Sequence, residues 1–168
     1  NPEVLATFDN VVHGFSTEGG AVLAWPHSTN HSFIEQQLPV RVRRGYFLLY
    51  LLVLHQRYAC IHLAKRIGSL ASGPSITRSH LTFQKAQSLR EHIFSFTVRA
   101  WFHEVSDRRL YTDVYHRWQD MLGTRPLFEE VTSQVGELDD YLQRVQSDRE
   151  STFAGLISWL IVPLVLFV

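Results

Sequence analysis

The chain has 168 residues, and its 16 basic and 16 acidic side chains cancel to a formal charge of zero. This balance gives no electrostatic footprint for nucleic acid, so no nucleic-acid partner is expected. The single cysteine, Cys60, excludes both an intramolecular disulfide framework and a cysteine-based zinc site. Apolar residues make up 45% of the chain, which is enough for a packed core and argues against disorder.

The first 36 residues contain two short β-like segments, Val4–Phe8 and Ala21–Trp25, with a Gly-Gly turn signal between them. Two strands are too few to close a sheet. Asn1 rather than methionine opens the chain, and no signal peptide follows it. We therefore interpret residues 1–36 as the β-remnant of an α/β cytoplasmic domain, and the chain as a piece of a longer protein.

Helices are predicted for most of the chain that follows. Pro39 precedes a long apolar segment, Val42–Leu70, which we predict to be a buried helix of a soluble domain. Arg57 lies near its middle, where an arginine would cost a membrane span about 2.5–3.5 kcal/mol. Two further helices are predicted from His80 to Val105 and from Arg108 to Leu122.

After a break at residues 123–126, the apolar residues follow a nearly heptad spacing: Leu127, Val131, Val135, Leu138, Leu142 and Val145. No proline stands between Pro126 and Pro163, so we predict one helix of about forty residues and about 60 Å. A single helix cannot bury such a seam, which implies oligomerisation. The predicted organisation is a partial cytoplasmic domain (1–125), a stalk helix (126–150) and a truncated first transmembrane helix (151–168).

The segment from Phe153 to Val168 is uncharged and almost entirely apolar. As a helix it spans about 24 Å, somewhat less than the roughly 30 Å of a hydrocarbon core. A core helix of a soluble protein normally shows a polar face, and Pro163 is better tolerated in transmembrane helices. We favour a membrane helix that continues past this sequence, with a buried core helix as the alternative.

Small residues recur on one face of this predicted membrane helix. Ser151, Gly155, Ser158 and Val162 follow helical spacing, whereas larger apolar residues occupy the other faces. We predict that this stripe lines an aqueous pathway in a symmetric bundle. Close helix–helix packing through small residues is the alternative interpretation, and it needs no pathway.

Acidic residues accumulate along the stalk. Glu137, Asp140, Asp148 and Glu150 are the candidate ligands for a divalent cation, because hard cations such as Mg²⁺ prefer carboxylates. The last two directly precede the apolar segment and could ring a pore mouth. A solvated helix face with ordinary pairing to Arg144 explains the same run without an ion. No tightly bound cofactor is expected.

The histidines and arginines raise two further possibilities. A zinc site is not expected, because no third ligand accompanies the closely spaced His27 and His31. Arg57 and His62 match the Arg-x4-His spacing of helical ribonucleases of the HEPN type, in which arginine would hold a phosphate while histidine moves protons. This spacing arises easily by chance in this composition. We predict no enzymatic activity and keep the HEPN-like ribonuclease as an alternative.

The order of features in residues 80–168 resembles that of a known family. A helical segment is followed by Glu104-Val-Ser106, a tyrosine-containing helix, the stalk segment 127–142, the sequence Gln146-Ser-Asp-Arg-Glu150, and an apolar helix with Pro163. This arrangement is similar to the C-terminal part of CorA-like divalent-cation transporters, particularly their divergent bacterial members. In that family a cytoplasmic α/β domain feeds a long stalk helix, which continues as the first membrane helix and lines a pentameric pore.

The resemblance implies a mainly α-helical, pentameric protein of the bacterial inner membrane with a cytoplasmic N-terminal part. A Gly-Met-Asn loop and a second membrane helix would follow Val168. The expected function is to form or gate a pathway for Mg²⁺-type cations, with the lipid bilayer and further copies of the chain as partners. The alternative is a membrane-anchored effector of CRISPR-type bacterial defence, which would perturb the membrane when a signalling ligand or partner activates it.

Overall fold

The computed structural model describes residues 3–26, 31–71, 80–141, 143–144 and 147. Within these residues, three β-strands are followed by five α-helices, so the fold is mainly helical, as predicted. The strands are β1 (Glu3–Phe8), β2 (Val11–Phe15) and β3 (Gly20–Ala24). The helices are α1 (Leu38–Arg41), α2 (Phe47–Ala71), α3 (His80–Ala100), α4 (Arg109–Met121) and α5 (124–141).

The three strands form an antiparallel sheet in the order β1-β2-β3. The apolar pattern predicts β1 and β3 to within one residue at each end but does not predict β2. On β2 the side chains of Val11, His13 and Phe15 are buried, which places one face of the strand against the helices. The Ser16 hydroxyl donates to the Gly19 carbonyl at 2.8 Å in the turn between β2 and β3. The first residues therefore form a short three-stranded meander, with one strand more than predicted.

A continuous helical stretch begins at residue 31 and ends at residue 71, so it begins well before the predicted start. Pro39 lies inside this stretch, and the prediction that it precedes the helix is wrong. Two π-helical turns, Phe33–Gln37 and Val42–Tyr46, flank α1, and in the first the Leu38 N–H bonds the Phe33 carbonyl. Proline lacks an N–H and clashes with the preceding turn of a regular α-helix. The wider π-type turn beside Pro39 therefore lets the helix continue.

The helix α2 is buried on one face only. Val53 and Cys60 are fully buried, whereas Leu48 and Tyr58 are 56% and 64% exposed. The prediction of a buried helix is therefore correct for one face and wrong for the other. By length and composition alone, the stretch Phe33–Leu70 could cross a membrane, a test that core helices of soluble proteins also pass.

The first hydrophobic core lies between the sheet, the N-terminal half of α2, and α4. Aromatic side chains dominate it. The Trp118 ring of α4 meets the Phe15 ring edge-to-face at 5.0 Å and the Tyr50 ring at 4.7 Å, both measured between centroids. Such pairs contribute about 0.5–1.5 kcal/mol each beyond the burial of their area. This core fixes the sheet against the helices.

The second core lies between the C-terminal half of α2, α3 and α5. Leu89 and Ile93 of α3 are buried there, and Leu127, Val131 and Val135 of α5 pack against them and against α2. These three residues are the first half of the predicted stalk seam. The prediction that the seam requires other copies of the chain for burial is therefore wrong for this half.

The helix boundaries differ from prediction at two further places. The helix α3 ends at Ala100, five residues earlier than predicted, and α5 begins at residue 124, inside the predicted break. A two-residue turn separates α4 from α5, and Gly123 in it has φ +60°, the left-handed conformation that glycine adopts without strain. Glycine at this position therefore lets the chain bend between α4 and α5 without strain.

Two glycines of the long helical stretch provide a matched test of this packing. A Cβ at Gly45 would lie 2.5 Å from the Tyr111 ring, whereas a Cβ at Gly68 would meet no atom within 4 Å. We expect Gly45→Ala to lower the free energy of unfolding by about 1–3 kcal/mol through overpacking. Gly68→Ala should raise it by about 0.5–1 kcal/mol, because alanine favours a helix. Urea unfolding followed by circular dichroism measures both, and effects of the same sign would contradict the close approach of Gly45 to α4.

Candidate functional site

The predicted pore-lining stripe does not fall in the part of the chain that the structure describes. The residues concerned lie in the segment 148–168, together with two of the four candidate cation ligands: Ser151, Gly155, Ser158, Val162, Asp148 and Glu150. The pathway therefore stays a prediction.

The other two candidate ligands, Glu137 and Asp140, lie on the exposed side of α5. Ser133 donates a hydrogen bond to Glu137 at 3.4 Å, and the neighbouring Asp139 pairs with Arg90 of α3 at 3.2 Å. Among the described residues, no group of three or more His, Cys, Asp or Glu side chains could hold a metal ion. A cation at Glu137 or Asp140 would need further ligands, such as those of neighbouring copies.

Arg57 and His62 are not brought together by the fold. Five residues along an α-helix separate two side chains by about 140° around its axis. The Arg57 guanidinium donates to the backbone carbonyl of Leu122, at the end of α4, whereas His62 is exposed on α2. Arg57 thus satisfies a carbonyl that has no intrahelical partner. No contact of the described residues supports the HEPN-like arrangement.

A buried polar network lies at the middle of α2, between the two cores. The Gln56 side-chain N–H group donates to the Ala100 carbonyl at 2.6 Å and to the Tyr115 hydroxyl at 2.8 Å. Gln119 donates to the same hydroxyl at 2.8 Å. Burial raises the pKa of the Tyr115 phenol above its ordinary value of 10, so the hydroxyl keeps its proton at neutral pH. This network joins α2, α3 and α4, and no sequence pattern predicts it.

A cavity of about 270 Å³, which we call the His13 cavity, lies between the β2–β3 hairpin and the helices. Five aromatic side chains form much of its wall: Phe15, Tyr46, Phe47, Tyr50 and Trp118. The hairpin contributes mostly small residues, among them Gly19 and Gly20. Aromatic rings therefore form one side of the cavity, and the small residues of the hairpin leave space on the other side.

His13 is the one histidine on the wall of this cavity. Its side chain is only 2% exposed, and the Tyr46 ring lies edge-on to it with centroids 4.7 Å apart. Its Nε2 atom has no hydrogen-bond partner among the described residues. Burial lowers the pKa of His13 below its ordinary value of 6.5, so the imidazole is neutral at physiological pH.

His13 was not among the residues predicted to be functional. The signal that could have found it is the alternation of Val11, His13 and Phe15, which is typical of the inward face of a strand. The strand was missed because a two-residue connection, Asp9-Asn10, follows β1 directly, and the segment after it was not recognised as a return strand. A histidine on the inward face of a strand is buried where helices cover that face of the sheet.

No protein-family model matches the chain, and no curated protein or solved structure is similar to it at a significant level. A functional proposal therefore rests on three observations. These are the exposed acidic side of α5, the helical conformation of the described residues up to 147, and the CorA-like order of the sequence features.

The free energy of unfolding of two variants can test whether Arg57 and His62 have the different surroundings described above. Arg57→Ala removes a charged donor and leaves the Leu122 carbonyl unpaired, so we expect a loss of about 1.5–3 kcal/mol in the free energy of unfolding. His62→Ala, on the exposed side of the same helix, should change it by less than about 0.5 kcal/mol. Urea unfolding provides the measurement. RNA cleavage by the native chain that both substitutions abolish, with stability unchanged, would contradict this assignment.

Proposed function

We propose that the chain is the lower cytoplasmic part, stalk and first membrane segment of an oligomeric CorA-like protein that forms or gates a pathway for divalent cations. The observation that carries the proposal is the course of α5. Residues 124–141 are helical, and so are 143–144 and 147, four residues before the uncharged segment begins at Ser151. A helix that continues in this direction leads an acidic stalk directly into an apolar span.

The two sides of α5 support separate roles. Its seam residues Leu127, Val131 and Val135 anchor the helix on its own chain through the second core. Glu137 and Asp140 stay exposed to solvent on the part of the helix nearest the apolar segment. Exposed carboxylates attract hydrated divalent cations and raise their local concentration, an effect that salt screens.

In an oligomer, these carboxylates would be repeated around a symmetry axis. Asp148 and Glu150 would form rings at the mouth of the pathway, and Glu137 and Asp140 would lie farther from the membrane. Mg²⁺ loses its water reluctantly, so carboxylates that bind it through water fit a transport role better than a tight cage does. The family resemblance implies five copies in the bacterial inner membrane, with residues 1–150 in the cytoplasm.

Below the mouth, the stripe of Ser151, Gly155, Ser158 and Val162 would face the axis. Serine hydroxyls can replace some water contacts of a passing cation, and small residues leave room for the remaining shell. The larger leucine, isoleucine and phenylalanine side chains on the other faces would contact lipid or neighbouring helices. In this proposal the positions of the small residues define the pathway. No covalent chemistry is involved.

The membrane segment can be tested through its tryptophan. In vesicles whose acyl chains carry bromine, we expect the fluorescence of the full chain to be quenched, because Trp159 would lie among the acyl chains. Trp159→Phe should remove most of the quenching, whereas the control Trp25→Phe, at a side chain 48% exposed on the cytoplasmic part, should leave it intact. Quenching that Trp159→Phe does not change, or a chain that remains in the aqueous phase, would contradict the membrane segment.

The pathway is tested by flux. The full-length protein is reconstituted into vesicles that contain a Mg²⁺-sensitive dye, and the rate of Mg²⁺ entry is measured. Ser158→Leu adds three carbon-sized groups in place of a hydroxyl on the proposed pathway face, so we expect at least a tenfold lower rate. Leu160→Ile, on another face at unchanged volume, is the control and should retain most of the flux.

The result also separates the two membrane functions. Flux that is equal in the native protein and Ser158→Leu would overturn the pathway assigned to this face. A native protein that inserts but conducts nothing favours the membrane-anchored effector, whose permeability change would require an activating ligand or partner. Insertion and flux are measured on the same vesicles, so a failure of one is not mistaken for a failure of the other.

A further inference from the structure

The helix α2 exposes a line of side chains on the side that faces away from the cores. Tyr58, His62 and Lys65 are exposed there and follow one another at spacings of four and three residues, so they are neighbours on the helix surface. The Tyr58 side chain is 64% exposed, although burial of its ring would be favourable. We call these three residues the α2 surface.

The charge of the α2 surface restricts its partner. Residues 36–90 contain no aspartate or glutamate, so no carboxylate of α2 itself can pair with Lys65. Two copies of the α2 surface would bring lysine against lysine, and like charges that face each other across an interface are unfavourable. The α2 surface therefore suits an acidic partner better than a second α2 surface.

The helix α5 has an exposed surface of the opposite charge. Glu129, Glu130 and Ser133 are exposed there, and we call them the α5 surface. The Gln134 side-chain amide donates a hydrogen bond to the Glu130 carboxylate at 3.0 Å, which holds this carboxylate on the helix surface. The α5 surface therefore offers two negative charges to a basic partner.

The two surfaces lie on opposite sides of the chain. Residues two positions apart in an α-helix point about 200° apart around its axis. Tyr58 lies two positions before Cys60, which is buried in the second core. Glu129 lies two positions before Val131, which is buried in the same core, between α2 and α5. Each surface therefore points away from the other helix, and a single chain cannot join them.

We propose that the α2 surface of one copy binds the α5 surface of the next copy, so that copies of this chain form a closed ring. The inference rests on the proposed function, because it names the surfaces through which that oligomer assembles. A head-to-tail interface of this kind closes a ring of any number of copies, including five, which an interface between identical surfaces cannot do.

The position of the two surfaces in the fold suits a ring. Rotation about the symmetry axis leaves the height of every residue along that axis unchanged, and both surfaces lie beside the second core. Neighbouring copies therefore bring Lys65 of one chain to the level of Glu130 of the next. The candidate cation ligands Glu137 and Asp140 lie farther along α5 and take no part in this contact.

Disulfide cross-linking tests the interface. His62→Cys on the α2 surface, Ser133→Cys on the α5 surface and the double variant are each made in the full-length protein and oxidised in detergent. We expect neither single variant to form dimers, because a head-to-tail contact does not place a residue beside its own copy. The double variant should form a ladder of covalent multimers. The native Cys60 is buried and does not compete.

A control and a charge reversal complete the test. His62→Cys combined with Gln87→Cys, at an exposed residue of α3, should give no ladder. In the first double variant, Lys65→Glu should slow the ladder roughly three- to tenfold, because an attractive pair becomes a repulsive one. Adding Glu130→Lys should restore most of the rate. Lys85→Glu makes the same change in net charge at an exposed lysine of α3 and should leave the rate unchanged.

The mass of the native protein, measured by light scattering in the same detergent, separates the possible failures. A native oligomer whose double variant forms no ladder would overturn this interface and leave the proposed oligomer intact. A monomeric native protein would overturn both. Dimers of His62→Cys alone would show that two α2 surfaces meet, which also overturns the head-to-tail contact. A ladder in a protein that conducts no Mg²⁺ supports the interface and contradicts only the pathway.

Discussion

The fold depends on one buried amide in the middle of α2. Gln56 lies between Val53 of the first core and Cys60 of the second, on the same face of the helix. Its side chain bonds the last carbonyl of α3 and the hydroxyl of α4's Tyr115. An apolar side chain at position 56 would pack between the two cores, but it would not specify that α3 and α4 meet α2 at this point. The amide requires these partners, because a buried polar group left unpaired costs about 1–3 kcal/mol.

That constraint determines where the stalk starts. With α3 and α4 fixed at Gln56, Arg57 one residue later caps the end of α4 at Leu122, and the turn at Gly123 leads the chain into α5. The Trp101 and Phe128 rings stack at 4.0 Å between centroids, which holds the first turns of α5 beside the end of α3. Cys60 takes part only in packing, since burial raises its pKa to about 11 and keeps the thiol protonated.

The sequence was sufficient for features that rest on local periodicity. The long helices, the stalk pattern and the turn after β2 follow from apolar spacing and from glycine positions. The early start of the first helix was not predictable in this way, because π-helical turns around Pro39 depend on packing and leave no periodic signal. The Gln56 network and the His13 cavity were missed for a related reason. A single polar residue gives no periodic signal, and whether it is buried depends on elements that are distant in the chain.

The first half of the predicted stalk seam packs on its own chain, so this half does not call for other copies of the chain. A seam that was free along its whole length could associate with any apolar partner in any register. With Val131 and Val135 already packed, the exposed side of α5 that carries Glu137 and Asp140 is what remains for neighbours. Two carboxylates on one helix bind a hydrated cation weakly. Symmetric repetition multiplies both the ligands and the local potential, whereas like charges held together without a cation repel. In the proposed assembly, a bound cation would offset this repulsion.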